Sequence, residues 1–119
     1  MDVDMNSETQ NNALYCNMDV FTPDERENHI QTTTRLFQSV QSSHEVANGY
    51  EFVFPNHGAE SITAFAEFIS NERRCCSFLE FTLRIPSNDK SISLLLTGPE
   101  GTQEFLREEF SEAFHENIS

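Results

Sequence analysis

The segment NERRCCSFLEFTLRI, residues 71–85, carries the change of hydrophobic period on which the fold turns. Ahead of it, Ile62, Phe65, Phe68 and Ile69 recur at about 100° per residue, and the pattern predicts a helix from about Ala59 to Cys76. From Phe78 to Ile85 apolar and polar side chains alternate instead, which is the period of a half-buried strand. The switch falls on two adjacent cysteines, Cys75 and Cys76. The chain has three, the other being Cys16 in LYCNMDVF.

On a helical wheel with Ile62 as origin, Phe65, Ile69 and Cys76 lie within about 60° of it. This places Cys76 centrally on the apolar stripe and Cys75 at its edge beside Phe68. Glu72 lands between Phe65 and the cysteines, on a face expected to be buried or half-buried. A carboxylate there is costly unless something compensates it, and Arg73, Arg74 or a bound cation are the local candidates. Glu72 stands three residues from Cys75 and four from Cys76, spacings at which side chains meet on a helix. One helix end thus gathers a carboxylate and two thiols, with two guanidinium groups able to favour thiolates. A plain structural reading stays open beside it. Buried cysteine packs as a small hydrophobe, and the arginines complement the helix dipole.

Working outward, Thr22 and Glu25 have capping-box spacing, and Pro23 suits the first helical position. Ile30, Thr33, Leu36, Phe37 and Val40 then share a helical face. Asn48-Gly49 signals a turn ahead of Tyr50, Phe52 and Phe54 at period two, with Val46 able to pair across it. PSNDKS reads as a turn and SISLLLTG as a strand antiparallel to the one before it. In GPEGTQEFLREEFSEAFHEN, Gly98 or Thr97 caps and Pro99 opens a last helix, with Leu106, Phe110, Ala113 and Phe114 on its buried side. Residues 13–21 read as a short strand or extended lead-in, and residues 1–12 as a flexible acidic tail. The expectation is one α+β domain over 13–119, a small antiparallel or mixed sheet with about three helices packed on one face.

Composition narrows the function. The 119 residues carry a formal charge of −13, with six arginines and a single lysine, Lys90. Such a surface repels phosphate backbones and argues against nucleic-acid binding, while it tolerates metal cations and basic partners. Excess acid with scarce lysine is also similar to the proteins of salt-loving organisms. The longest apolar run falls far short of the roughly 20 residues a bilayer span needs, and the amino terminus lacks the order of a signal peptide. The expected location is the cytoplasm, where thiols stay reduced. An odd cysteine count then favours metal or redox chemistry over a disulfide framework.

No Cys-x-x-Cys pair or matching histidine spacing marks a structural zinc site. Neighbouring cysteines reach one ion with difficulty, though soft ions accepting two or three thiolates are less demanding. A set of Cys16, Cys75 and Cys76 suits mercury(II) or arsenic(III), or zinc completed by His57, Glu72 or water. A Cys75–Cys76 disulfide ranks below the reduced pair. His57 precedes the second helix, about 25 Å from the cysteines along it, and reads as a capping or surface residue. His29 and His44 fall on or beside the first helix and His115 near the carboxyl end, none at metal-binding spacing. TGPEG lacks the lysine of a phosphate loop, and no nucleophile elbow is present.

Glu72, Arg73, Cys75, Cys76 and Phe78, together with LTGPEG at 96–101, resemble a family of small prokaryotic proteins. Its members share a Glu-Arg-x-Cys-Cys-Pro-Phe motif, an aromatic strand and a Leu-Thr-Gly-Pro-Glu-Gly turn. Ser77 stands in place of the family's proline. The resemblance spans roughly residues 16–110, and its association with heavy-metal handling implies a metal role. The leading expectation is a soft or borderline metal or metalloid ion, zinc, mercury or arsenic, bound by Cys75, Cys76 and Cys16. Glu72 stands alongside, and Arg73 or Arg74 lowers the thiol pKa values. The alternatives are a thiol-based enzyme, redox or organometal-cleaving, and a non-catalytic interaction module whose cysteines are core. A protein partner or a second copy of the chain remains open.

Overall fold

The computed structural model describes residues 14–87 and 90–110. The expected tail at 1–12, the centre of the PSNDKS turn, Ala113, Phe114 and His115 lie outside the described residues.

An extended lead-in runs to Asn17, whose side chain caps a 3-10 turn at Met18–Val20. No strand forms among the described residues of this lead-in. Helix α1, Pro23–Gln38, starts as the sequence predicts, with Thr22 and Glu25 exchanging both bonds of the capping box behind Pro23. Its buried residues are His29 and Phe37, whereas Ile30 is half exposed. The expected face is kept at Phe37, Leu36 and Val40, which pack on the core, but at its start His29 turns inward in place of Ile30.

Strands β1, Ser42–Val46, and β2, Gly49–Pro55, form a hairpin in which Val46 pairs with Gly49 across Ala47 and Asn48. His44 belongs to this hairpin and not to the helix. Asn48 takes the left-handed conformation at φ 57°, which asparagine tolerates in tight turns. At Gly49 a Cβ would lie 2.0 Å from the Leu96 carbonyl oxygen, so only glycine fits. Helix α2, Ala59–Cys75, leads into β3, Glu80–Arg84, then β4, Ser91–Thr97, and α3, Thr102–Glu109. The last helix starts later than expected. Pro99 and Glu100 form a turn, and Gly101, left-handed at φ 97°, is the residue before the helix.

The sheet is antiparallel throughout, in the order β1-β2-β4-β3, and the fold class is α+β as anticipated. Cross-strand partners share a face. Phe81, Leu96 and Tyr50 line the inner one, with Leu83, Leu94 and Phe52 beside them and Ile92 opposite Phe54. Phe37 from α1 meets Phe52 and Phe54 edge-on, and Phe65 from α2 meets Phe54 at 4.9 Å between ring centroids. The helices thus cover the phenylalanine face. From α3, Gln103 Nε2 donates to the Val46 carbonyl and Arg107 to the Tyr50 hydroxyl, tying the helix to the hairpin.

Candidate metal centre

Ser61, Phe65, Phe68, Glu72 and Cys75 are the buried residues of α2. Their spacing alternates four and three, the inward stripe of a helix. The stripe is centred on Phe68 and Glu72 and not on Ile62, which is exposed. Cys75 is the last helical residue and lies on this stripe. Cys76 is the C-cap, with φ −111° and ψ 72°, and its N–H still donates to the Glu72 carbonyl at 2.8 Å. Because the helix stops between the two cysteines, their side chains need not diverge by a helical step. Their sulfurs lie 3.9 Å apart. The expected difficulty of aiming neighbouring cysteines at one point is removed by that local geometry.

Cys16 arrives from the lead-in. Asn17 N–H donates to the Cys75 carbonyl at 2.8 Å, docking this strand-like segment on the end of α2. Cys16 and Cys76 are joined in a disulfide with 4.4 Å between Cα atoms, and Cys75 is a free, buried thiol. The expectation had all three thiols reduced; here Cys76 pairs with the distant Cys16 and not with its neighbour Cys75, so all three sulfurs are free only in the reduced form.

Glu72 is 3% exposed, and the groups around it explain how a carboxylate survives there. Its Oε1 lies 2.7 Å from His29 Nε2, a contact buried on both sides. Its Oε2 lies 3.1 Å from Cys76 Sγ and 4.0 Å from Cys16 Sγ, while Cys75 Sγ is 4.0 Å from Oε1. The arginines proposed as its partners face elsewhere. Arg74 sits over the Phe21 ring at 4.7 Å and donates to the Val20 carbonyl, and Arg73 is exposed. Neither lowers the free thiol. Burial first, and then the charge of Glu72, push Cys75 up to about 12 from an ordinary 9.0.

The residue that sequence reasoning missed is His29. It comes from another helix, 43 positions away in sequence from Glu72, so no local spacing announces the pair. The available signal was its place four residues before Thr33 and eight before Phe37, on the stripe that α1 turns inward.

Cys16, Glu72, Cys75 and Cys76 offer one ligand atom each, all within 4.8 Å of one another. Zinc–sulfur bonds near 2.3 Å and zinc–oxygen bonds near 2.0 Å give tetrahedral edges of about 3.8 Å between sulfurs and about 3.5 Å between sulfur and oxygen. The Cys75–Cys76 separation matches the first; around the carboxylate, Cys76 and Cys16 Sγ lie 3.1 and 4.0 Å from Oε2, while Cys75 Sγ lies 4.0 Å from the other oxygen, Oε1. Cys16 and Cys76 become separate donors only once their bond is opened, and the four residues are then a group that could hold a metal ion. His57 takes no part. It precedes the first turn of α2, where its N–H donates to Ser61 Oγ.

No protein-family model, no curated protein and no solved structure matches the chain. The site therefore rests on its own geometry. The structure does account for the pairing of the two sequence motifs. A Cβ on Gly98 would lie 3.1 Å from the Phe78 carbonyl oxygen and 2.7 Å from Thr102 Oγ1. Phe78 also meets Phe105 edge-on at 4.9 Å, so the TGPEG turn is fitted to the residue two places after Cys76. Among the described residues no helix is long and apolar enough to cross a membrane.

Proposed function

We propose that the reduced protein binds one soft or borderline metal or metalloid ion through Cys16, Cys75 and Cys76, with Glu72 as an oxygen donor or an adjacent charge. The observation that carries this reading is the convergence of three sulfurs and a buried carboxylate, from segments 60 residues apart, within 4.8 Å. Soft thiolates select zinc, mercury(II) and arsenic(III) over hard ions. His29 holds the Glu72 carboxylate in orientation, as groups behind a metal ligand do. The role is sequestration, delivery or sensing in the reducing cytoplasm.

The Cys16–Cys76 disulfide is then the closed form of the site. A dithiol reductant supplies two electrons and two protons, is itself oxidised to a disulfide, and leaves two thiols. Ion binding displaces the thiol protons to solvent. The same disulfide favours a second reading, thiol–disulfide exchange with Cys75 attacking Cys76. That attack needs a Cys75 thiolate, which burial and Glu72 suppress. The cysteines also belong to the apolar core, with Cys16 packed against it, but their sulfurs lie together instead of in separate apolar surroundings, which favours the ion-binding reading over the interaction module.

Metal analysis and thiol titration of the reduced protein test the proposal. One ion per chain is expected for wild type, with binding weakened at least a hundredfold in Cys75→Ser and in Cys76→Ser. Equal stoichiometry and affinity in both variants would remove the thiolate model.

A further inference from the structure

Strand β3 stands at one end of the sheet order, and among the described residues no backbone group pairs with its outer edge. Such an edge is a template for another strand unless its side chains oppose pairing. Charge is a common defence, and β3 carries two charged residues, Glu80 and Arg84. They differ in sign, and neither makes an ion pair among the described residues. Both are exposed, with exposed Thr82 between them, on the sheet face away from the helices. Phe81 and Leu83 point the other way and are only partly buried against the core.

Symmetry decides what these charges do. Two copies of one strand paired antiparallel are related by a two-fold axis perpendicular to the sheet, and residues directly opposite each other point to the same face. The axis must then pass through a residue and not between two. Centred on Phe81 the pairing sets Glu80 against Thr82, and centred on Leu83 it sets Arg84 against Thr82. Centred on Thr82 it uses the whole strand. Glu80 of each copy then meets Arg84 of the other, and Phe81 meets Leu83 twice. Opposite charges facing each other across strands stabilise, and like charges destabilise. Pro86, which cannot donate to a ladder, lies beyond the paired residues. The other edge offers no such match. In β1 the pairing centred on His44 sets Ser42 against Val46, Ser43 against Glu45 and two imidazoles together. We propose that β3 is a self-association edge, through which two copies of the chain pair antiparallel about Thr82 into one continuous sheet with all the helices on one face. The two Glu80–Arg84 pairs fix the register, and the second copy covers the open side of Phe81 and Leu83. No sulfur is offered to the interface, since Cys75 is buried and the other two are bonded to each other. The formal charge of −13 opposes association at long range, and salt screens it. A single short strand from each copy makes a small interface, so the dimer is weak, with a micromolar Kd.

Sedimentation of the full chain at physiological ionic strength is the test, with circular dichroism to show that each variant keeps its fold. Wild type is expected to pass from monomer to dimer as its concentration rises through the micromolar range. Glu80→Arg sets arginine against arginine, and Arg84→Glu sets glutamate against glutamate. Each is expected to weaken the dimer at least tenfold. The double variant Glu80→Arg/Arg84→Glu exchanges the two signs and is expected to recover wild-type association. An equimolar mixture of the two single variants is expected to form a mixed dimer, because each then meets its complement. A monomer at every concentration, as when another segment of the same chain occupies the edge, would overturn the proposal. So would a dimer indifferent to the single substitutions, or weakened variants that neither the second substitution nor mixing rescues. The thiolate site is read separately, from metal bound to the reduced wild type.

Discussion

The phenylalanine core and the thiol cluster share one interior, and a single helical turn separates them, since Phe68 and Glu72 are successive inward residues of α2. They are held by different physics. Phe37 stacks on Phe110 at 4.5 Å and meets Phe52, Phe54 and Phe68 edge-on at 5.3–5.6 Å. Each ring has several neighbours, and its burial stabilises whether or not one contact is ideal. In the cluster each polar group depends on a named partner, because an unpaired charge in that setting is destabilising by several kcal/mol. The core sets how stable the protein is, and the cluster sets what its interior can hold. Changes in the first should be graded and independent. In the second they should be coupled.

The largest effect comes from the core at the ring that adjoins the cluster, since Phe68 also stacks on His29 at 6.0 Å between ring centroids. Phe68→Ala removes a fully buried ring and is expected to cost about 3–5 kcal/mol in urea unfolding, while the folded fraction keeps its metal stoichiometry. A loss of bound metal from protein that remains folded would show that core and cluster are one unit after all.

Reduction comes next, and it acts on the cluster side through the unfolded chain. The Cys16–Cys76 bond closes a loop with a separation of 60 residues, for which chain entropy assigns up to about 4 kcal/mol. The reduced protein should unfold at correspondingly lower urea, and zinc added to it should restore much of the difference by binding only the folded form. If zinc leaves the reduced midpoint unmoved, the three sulfurs do not share an ion.

These two regions were unequally legible in the sequence. The core followed from local periodicity. Tyr50, Phe52 and Phe54 alternate, and Leu94 and Leu96 answer them, so strands and inner face could be read without tertiary knowledge. Glu72 was legible as a buried carboxylate, with Cys75 and Cys76 beside it, because they follow it by three and four residues. Two features were not legible. The stripe of α2 was misplaced because the wheel was extended through Cys76, although the helix ends at Cys75 and the last side chain swings out of phase. His29 was missed because its partner is 43 positions distant, and only the docking of α1 on α2 brings the two together. Arg73 and Arg74, adjacent in sequence, looked like better partners than they are. Neighbours on a helix point in different directions, and proximity in sequence says nothing of a shared face.

The coupling within the cluster is the next effect in size. His29→Leu leaves Glu72 without its donor, and Glu72→Leu leaves His29 without its acceptor. Each is expected to cost about 2 kcal/mol, on the scale of a buried hydrogen bond to a charged group. The double variant should cost clearly less than their sum, because replacing both partners with apolar groups removes the unpaired atoms as well as the bond. Strict additivity in that cycle would mean that the 2.7 Å contact carries no stabilisation.

The smallest effect distinguishes the two regions by pH. Cys75 has its folded pKa raised from 9.0 to about 12, first by burial and then by Glu72. Below pH 9 the folded and unfolded chains both keep this proton, and the group contributes no pH dependence. Above pH 9 the unfolded thiol ionises while the folded one does not, so the unfolded state gains and stability falls until the pH passes about 12. At pH 10 the loss attributable to this thiol is on the order of 1 kcal/mol. The measurement is the difference in urea midpoint between pH 8 and pH 10, for wild type against Cys75→Ala, which share every other ionisable group. Wild type should lose more than the variant. Phe68→Ala, a substitution in the core with no titrating group, should track wild type over the same interval. Equal losses in wild type and Cys75→Ala would mean that the thiol beside Glu72 titrates as it does in water, and that the polar cluster is open to solvent in a way the phenylalanine core is not.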